Sequence, residues 1–96
     1  MSMKYSVVIP HKDSLQWLFR CVASIPVRED LEVIVVDDNS SLAETDWTDF
    51  RKEFPHVRLF MTHEAKGAGY VRNVGLEHAT GEWVVFADTL ISVQPN

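Results

Sequence analysis

Leu31-Glu32-Val33-Ile34-Val35-Val36-Asp37-Asp38-Asn39-Ser40-Ser41 is the stretch that decides the fold. Leu31–Val36 is a short apolar run, rich in β-branched residues and interrupted by one carboxylate, and it predicts a buried strand. It closes on a cluster of Asp, Asn and Ser, which reads as a loop. A near-continuous apolar strand suits a parallel sheet covered on both faces, because the half-solvated strand of a hairpin would alternate polar and apolar residues.

The flanking segments repeat this pattern. Towards the N-terminus, Tyr5–Ile9 is a second apolar, β-branched run that ends at Pro10. Between the two runs, Asp13 or Ser14 caps a helix whose Leu15, Leu18, Val22 and Ile25 fall at helical spacing, and Pro26 stops it. Towards the C-terminus, Ala43, Trp47, Phe50 and Phe54 mark one face of a helix ending before Pro55. Val57–Met61 predicts a third strand, and Thr62–Ala68 a polar loop. Val71, Val74, Gly75 and His78 share a helix face, with Gly81 expected as the residue just past its C-cap. Trp83–Ala87 predicts a fourth strand, followed by Asp88.

Strand and helix alternate throughout, with short connections. The expected fold class is α/β: one Rossmann-like domain over residues 1–96, a mostly parallel sheet of about four strands, and helices on both faces with right-handed crossovers. In such sheets ligands bind outside the carboxyl ends of the strands. Pro10-His11-Lys12-Asp13, Asp37-Asp38, Gly67-Ala68-Gly69 and Asp88 all fall at those ends.

Each group has a chemical use and a plainer alternative. Adjacent carboxylates at Asp37 and Asp38 repel unless something uses them, and one can accept from a base N–H or ribose hydroxyls. The alternative is that they cap a turn. The glycines before Tyr70-Val71-Arg72-Asn73 open a helix whose N-terminus favours anions, and Arg72 can grip a pyrophosphate bidentately. The spacing is not the dinucleotide fingerprint, since Arg stands at position 72. The alternative is a turn with Arg72 on a solvated face. Asp88 is either a ligand for a divalent cation or a strand-end turn residue. His11-Lys12-Asp13 reads more simply as solvated loop than as an acid/base cluster. His56, His63 and His78 lack metal-ligand spacing, and His78 reads as a helix-surface residue. Trp17, Trp47 and Trp83 read as core or boundary residues, and Cys21 as a packed thiol.

Composition narrows the partners. The 96 residues are 46% hydrophobic and 24% charged, ordinary for a globular chain, with a net charge of −5 that disfavours a nucleic-acid partner. Cys21 is the only cysteine. No internal disulfide can form, so a reducing, cytoplasmic setting is expected. No signal peptide is evident at Met1-Ser2-Met3-Lys4-Tyr5. The apolar runs fall far short of the ~20 residues of a transmembrane span.

Ser6-Val7-Val8-Ile9-Pro10 with Asp13, then Val33-Ile34-Val35-Val36-Asp37-Asp38-Asn39-Ser40, then the stretch from Gly69 through Arg72-Asn73-Val74-Gly75-Leu76 and Ala79-Thr80-Gly81-Glu82 to Asp88 resembles the N-terminal half of family 2 glycosyltransferases. The resemblance covers essentially the whole chain. It implies a GT-A fold that binds a nucleoside diphosphate sugar, most often a UDP-sugar, for inverting transfer. It also implies a nucleotide site drawn from Pro10, His11, Lys12, Asp13, Asp37, Asp38, Gly69, Arg72, Asn73 and Asp88. Within it, Asp38 bonds the base and Asp88 faces Mn²⁺ or Mg²⁺ as the first Asp of a DxD motif.

Three departures qualify that implication. Lys12 stands where the family more often has a stacking aromatic residue. Leu90 stands where the family's second metal-binding Asp belongs, and a leucine cannot coordinate a hard cation. The family's acceptor site and general base have no counterpart up to Asn96. The resemblance therefore implies a truncated donor-binding domain with no catalytic residue assigned. The alternative is a non-catalytic remnant that acts through partners or as a homo-oligomer, using the apolar Leu90, Ile91 and Val93. A receiver-like phosphoacceptor domain fits less well, since it places its acidic pair after the first strand.

Overall fold

A computed structural model describes residues 3–64, 66–87 and 91–96. The strands are β1 (Tyr5–His11), β2 (Leu31–Asp37), β3 (Arg58–Met61), β4 (Trp83–Ala87) and β5 (Ile91–Pro95). The helices are α1 (Leu15–Ala23), α2 (Glu44–Glu53) and α3 (Ala68–His78). One five-stranded sheet runs in the order β3-β2-β1-β4-β5. β1 pairs in parallel with both β2 and β4, β2 pairs in parallel with β3, and β5 is antiparallel to β4. The expected α/β class is found, with a fifth strand that the apolar pattern did not reveal.

Alternation along the central strands sorts their side chains onto two cores. Val7, Ile9, Val33 and Val35 face α1 and α2, packing with Leu18, Val22, Trp47, Phe50 and Phe54. Val8, Ile34 and Val36 face α3, packing with Val71, Val84 and Phe86. Helices thus cover both faces. Continuous apolar strands were the sequence's sign of this arrangement.

Two glycines set how closely α3 and its exit approach β1. A Cβ on Gly75 would stand 2.3 Å from Val8 Cγ1, so only glycine lets the helix lie this near the sheet. Gly81 was expected just past the C-cap of α3, a place where glycine commonly takes positive φ. Instead the helix ends at Ala79 with extended backbone (φ −71°, ψ 129°), and among the glycines only Gly67 has positive φ. Gly81 is needed because a Cβ there would meet the β1 backbone, 2.7 Å from Ser6 N.

Beneath that crossing lies a polar knot. The buried Glu32 accepts from Ser6 Oγ (2.6 Å), Thr80 N (2.7 Å), Thr80 Oγ1 (2.8 Å) and Arg58 Nη1 (2.9 Å). Gly81 N donates to Ser6 Oγ at 2.8 Å. A buried carboxylate is tolerated only when supplied with donors in this way. The knot fastens β1, β2, β3 and the α3–β4 connection at the end of the sheet opposite the loops that follow β1 and β2. His78, expected on the helix surface, is half-buried and stacks on Phe60 with ring centroids 4.0 Å apart.

Candidate functional site

The carboxyl ends of β1 and β2 carry two loops bound tightly to each other. Asp38 N donates to His11 O at 2.8 Å and extends the ladder one residue beyond the strands. Asp13 N donates to Ser40 Oγ, and Ser41 N donates to Asp13 Oδ1, both at 2.7 Å. Asp13 (φ 49°) and Asn39 (φ 56°) take left-handed backbone, which Asp and Asn tolerate better than most residues. Their side-chain types were visible in the sequence as loop signals, but their mutual bonds were not.

The two adjacent carboxylates have different environments, and alternation explains why. Asp37 continues the odd-numbered residues of β2 towards α2. It is buried, and its oxygens accept from His11 Nδ1 (2.8 Å), Ser40 Oγ (2.6 Å) and Ser40 N (2.9 Å). Burial pushes its pKa up, but the hydrogen bonds from His11 and Ser40 together outweigh burial and hold it below the ordinary value. Asp38 continues the even-numbered set towards α3. Its Oδ1 is sealed from solvent and has no hydrogen-bond partner among the described residues. Such an acceptor costs about 1–3 kcal/mol, and more when charged, so it marks a place where a donor is missing.

His11 corrects the sequence reading of a solvated loop residue: it is buried and lies edge-on to Trp47. Ser14 N donates to its Nε2 at 2.9 Å, which leaves Nδ1 to carry the proton donated to Asp37. Both ring nitrogens are therefore committed to structure. Ser14 begins α1 without a side-chain cap bond, and its main-chain N–H is spent on His11 instead.

A pocket of about 190 Å³ opens at this rim, lined by Pro10, His11, Lys12, Asp38, Ala68 and Val71. Drug-sized ligands occupy roughly 300–1,000 Å³, so this volume holds a ring system and not a whole nucleotide sugar. Its walls are apolar at Pro10, Ala68 and Val71, and Asp38 supplies the acceptor. Lys12, exposed, donates from Nζ to the main-chain oxygen of Asp38 at 3.3 Å. Ala68 and Val71 were read from the sequence only as a loop end and a helix face. The signal that could have placed them was that α3 begins where the glycines bring the chain over β1.

The remaining sequence candidates divide clearly. Gly69 and Asn73 are exposed on α3 and are not among the residues that line the pocket. Arg72 is half-buried, its guanidinium 5.5 Å from the Phe86 ring centroid. Asp88 and Leu90 lie outside the described residues. Among the described residues no group of three or more His, Cys, Asp or Glu can hold a metal ion. Among the described residues no helix is long and apolar enough to cross a membrane.

The model of the family "Glycosyl transferase family 2" matches residues 6–89. The chain is 35% identical over 96 residues to the uncharacterised glycosyltransferase YibD of Escherichia coli, covering 96% of this chain and 27% of that protein. It superposes on a fragment of S. aureus TarS in complex with UDP with a TM-score of 0.70 and 29% identity, over 91% of this chain and 27% of that one. The mannosyltransferase PcManGT from Pyrobaculum calidifontis, in complex with GDP-Man and Mn²⁺, gives a TM-score of 0.76 at 26% identity, over 92% and 28%. The chain thus spans about a quarter of the length of each of these proteins. Sequence motifs, sheet order and these matches agree, and the chain belongs to glycosyltransferase family 2, with the fold of the N-terminal part of a GT-A domain.

Proposed function

We propose that the pocket at the ends of β1 and β2 receives the nucleoside of a nucleoside diphosphate sugar, most often a UDP-sugar, as the donor site of an inverting glycosyltransferase. One observation carries this reading: Asp38 presents a sealed, unmet acceptor beside apolar walls large enough for one base. A base N–H supplies the missing donor, and Pro10, Ala68 and Val71 shield the ring. UDP and GDP-mannose in the similar structures support a nucleotide ligand.

Inverting transfer also needs a base to take the acceptor's hydroxyl proton and a cation to stabilise the departing diphosphate. No residue of this chain is assigned the first role. Asp88, the sequence's candidate for holding Mn²⁺ or Mg²⁺, has Leu90 nearby in place of a second carboxylate. In this reading the chain supplies the nucleotide side of the donor site, in the reducing cytoplasm that a lone cysteine favours. Isothermal titration with UDP and a UDP-hexose tests the reading. Wild type gives saturable binding and Asp38→Ala gives none, whereas equal affinity in both proteins refutes the assigned site.

One observation favours a second reading, a non-catalytic remnant that self-associates. Trp83 (42% exposed) and Val93 (58% exposed) lie on one face of the outer strand pair. Light scattering that shows a strict monomer at high concentration refutes that reading.

A further inference from the structure

The pocket sets an unmet acceptor beside a cation. Asp38 Oδ1 has no donor among the described residues, and Lys12 Nζ reaches the main-chain oxygen of the same residue at 3.3 Å. An ammonium has three N–H donors and no acceptor, so this bond leaves Lys12 further donors to offer. Rotation about the terminal torsion of Asp38 can present either carboxylate oxygen, since such torsions are broad. Both residues line the same pocket. One side of it therefore offers an acceptor and a donor next to each other.

That pair complements a ring N–H flanked by a carbonyl. Uracil and guanine carry this lactam edge. Cytosine and adenine present the reverse, a bare ring nitrogen beside an exocyclic amino group. Against this pocket the bare nitrogen would face the carboxylate and the amino group would face the ammonium. Sites built to pair with one hydrogen-bonding pattern reject the reversed pattern strongly, because buried polar groups are left unpaired. We infer that Lys12 is a base-specificity residue which, together with Asp38, selects nucleotides whose base has a lactam edge. The inference rests on the nucleotide-pocket reading and adds to it a role for Lys12.

Isothermal titration of wild type, Lys12→Met and Lys12→Arg with UDP and with CDP tests it, because the two ligands differ only on this edge. Wild type binds UDP about tenfold or more tightly than CDP, the factor one charge-assisted hydrogen bond supplies. Lys12→Met keeps the stem but loses the charge, and the preference shrinks by about threefold or more, Asp38 keeping the remainder, while Lys12→Arg restores it. A contact from Lys12 to the diphosphate would weaken both ligands equally, so the ratio isolates the base. An undiminished preference in Lys12→Met, or equal binding of UDP and CDP by wild type, overturns the inference and leaves the pocket reading standing. Failure of wild type to bind either nucleotide overturns both.

Discussion

Gly75→Ala is the sharpest test of how α3 is held against the sheet. The added Cβ would lie 2.3 Å from Val8 Cγ1, 3.3 Å from Val8 Cγ2 and 3.4 Å from Val36 Cγ2. Carbon atoms pack best at about 3.5–4.0 Å, so the first contact is short by more than an ångström. Val8 is fully buried, and its β-branched side chain has few alternative rotamers. Overpacking of this kind costs about 1–3 kcal/mol, while alanine returns up to about 1 kcal/mol of helix propensity. With the full propensity gain the net loss is about 0–2 kcal/mol, and each kcal/mol lost lowers the melting temperature of a domain this size by about 4–8 °C. Thermal and urea denaturation followed by circular dichroism measure it. Val8→Ala removes the obstructing methyls, so in that background Gly75→Ala becomes neutral or stabilising. The double-mutant cycle then shows a coupling of at least about 1 kcal/mol. A stabilising Gly75→Ala in the wild-type background, or zero coupling with Val8, would refute the reasoning.

Other expectations follow from the same geometry. Gly81→Ala destabilises more than Gly75→Ala, because its Cβ meets the Ser6 and Tyr5 backbone as well as Ser6 Oγ, whereas that of Gly75 meets side chains alone, and urea midpoints rank the two variants. Asp38→Ala leaves the melting temperature unchanged or raises it, since it removes an unsatisfied acceptor, whereas a clear loss of stability would mean that Asp38 serves the fold. Burial raises the pKa of Asp37 and Glu32, but the bonds from His11 and Ser40 to the first, and from Ser6, Thr80 and Arg58 to the second, leave both lowered. Their stabilisation is therefore full above the unfolded carboxylate values of about 4 and is lost as pH falls through the lower folded values. Urea midpoints drop below about pH 4, less steeply in Asp37→Asn, and a flat profile contradicts the assignment.

The alternation of strand and helix was legible because each central strand carries a near-continuous apolar run bounded by turn residues. β5 was not legible: Ile91–Pro95 is short, has Ser92 and Gln94 between its apolar positions, and ends in a proline, so pattern alone gave only an apolar tail. The rim was visible as a collection of polar residues at strand ends. Which member of the Asp37-Asp38 pair is committed to hydrogen bonds within the fold depended on strand parity and on what each face packs against. His11 was misread because its partners, Asp37 and Trp47, are distant in sequence. The Glu32 knot escaped for the same reason, its Thr80 donor lying 48 residues away.

Amide chemical-shift mapping during a UDP titration tests the central claim most directly. Saturable shifts should concentrate at Lys12, Asp38, Ala68 and Val71. Shifts centred instead on Glu32 and Thr80 at the opposite end of the sheet, or none up to about millimolar UDP, would contradict it.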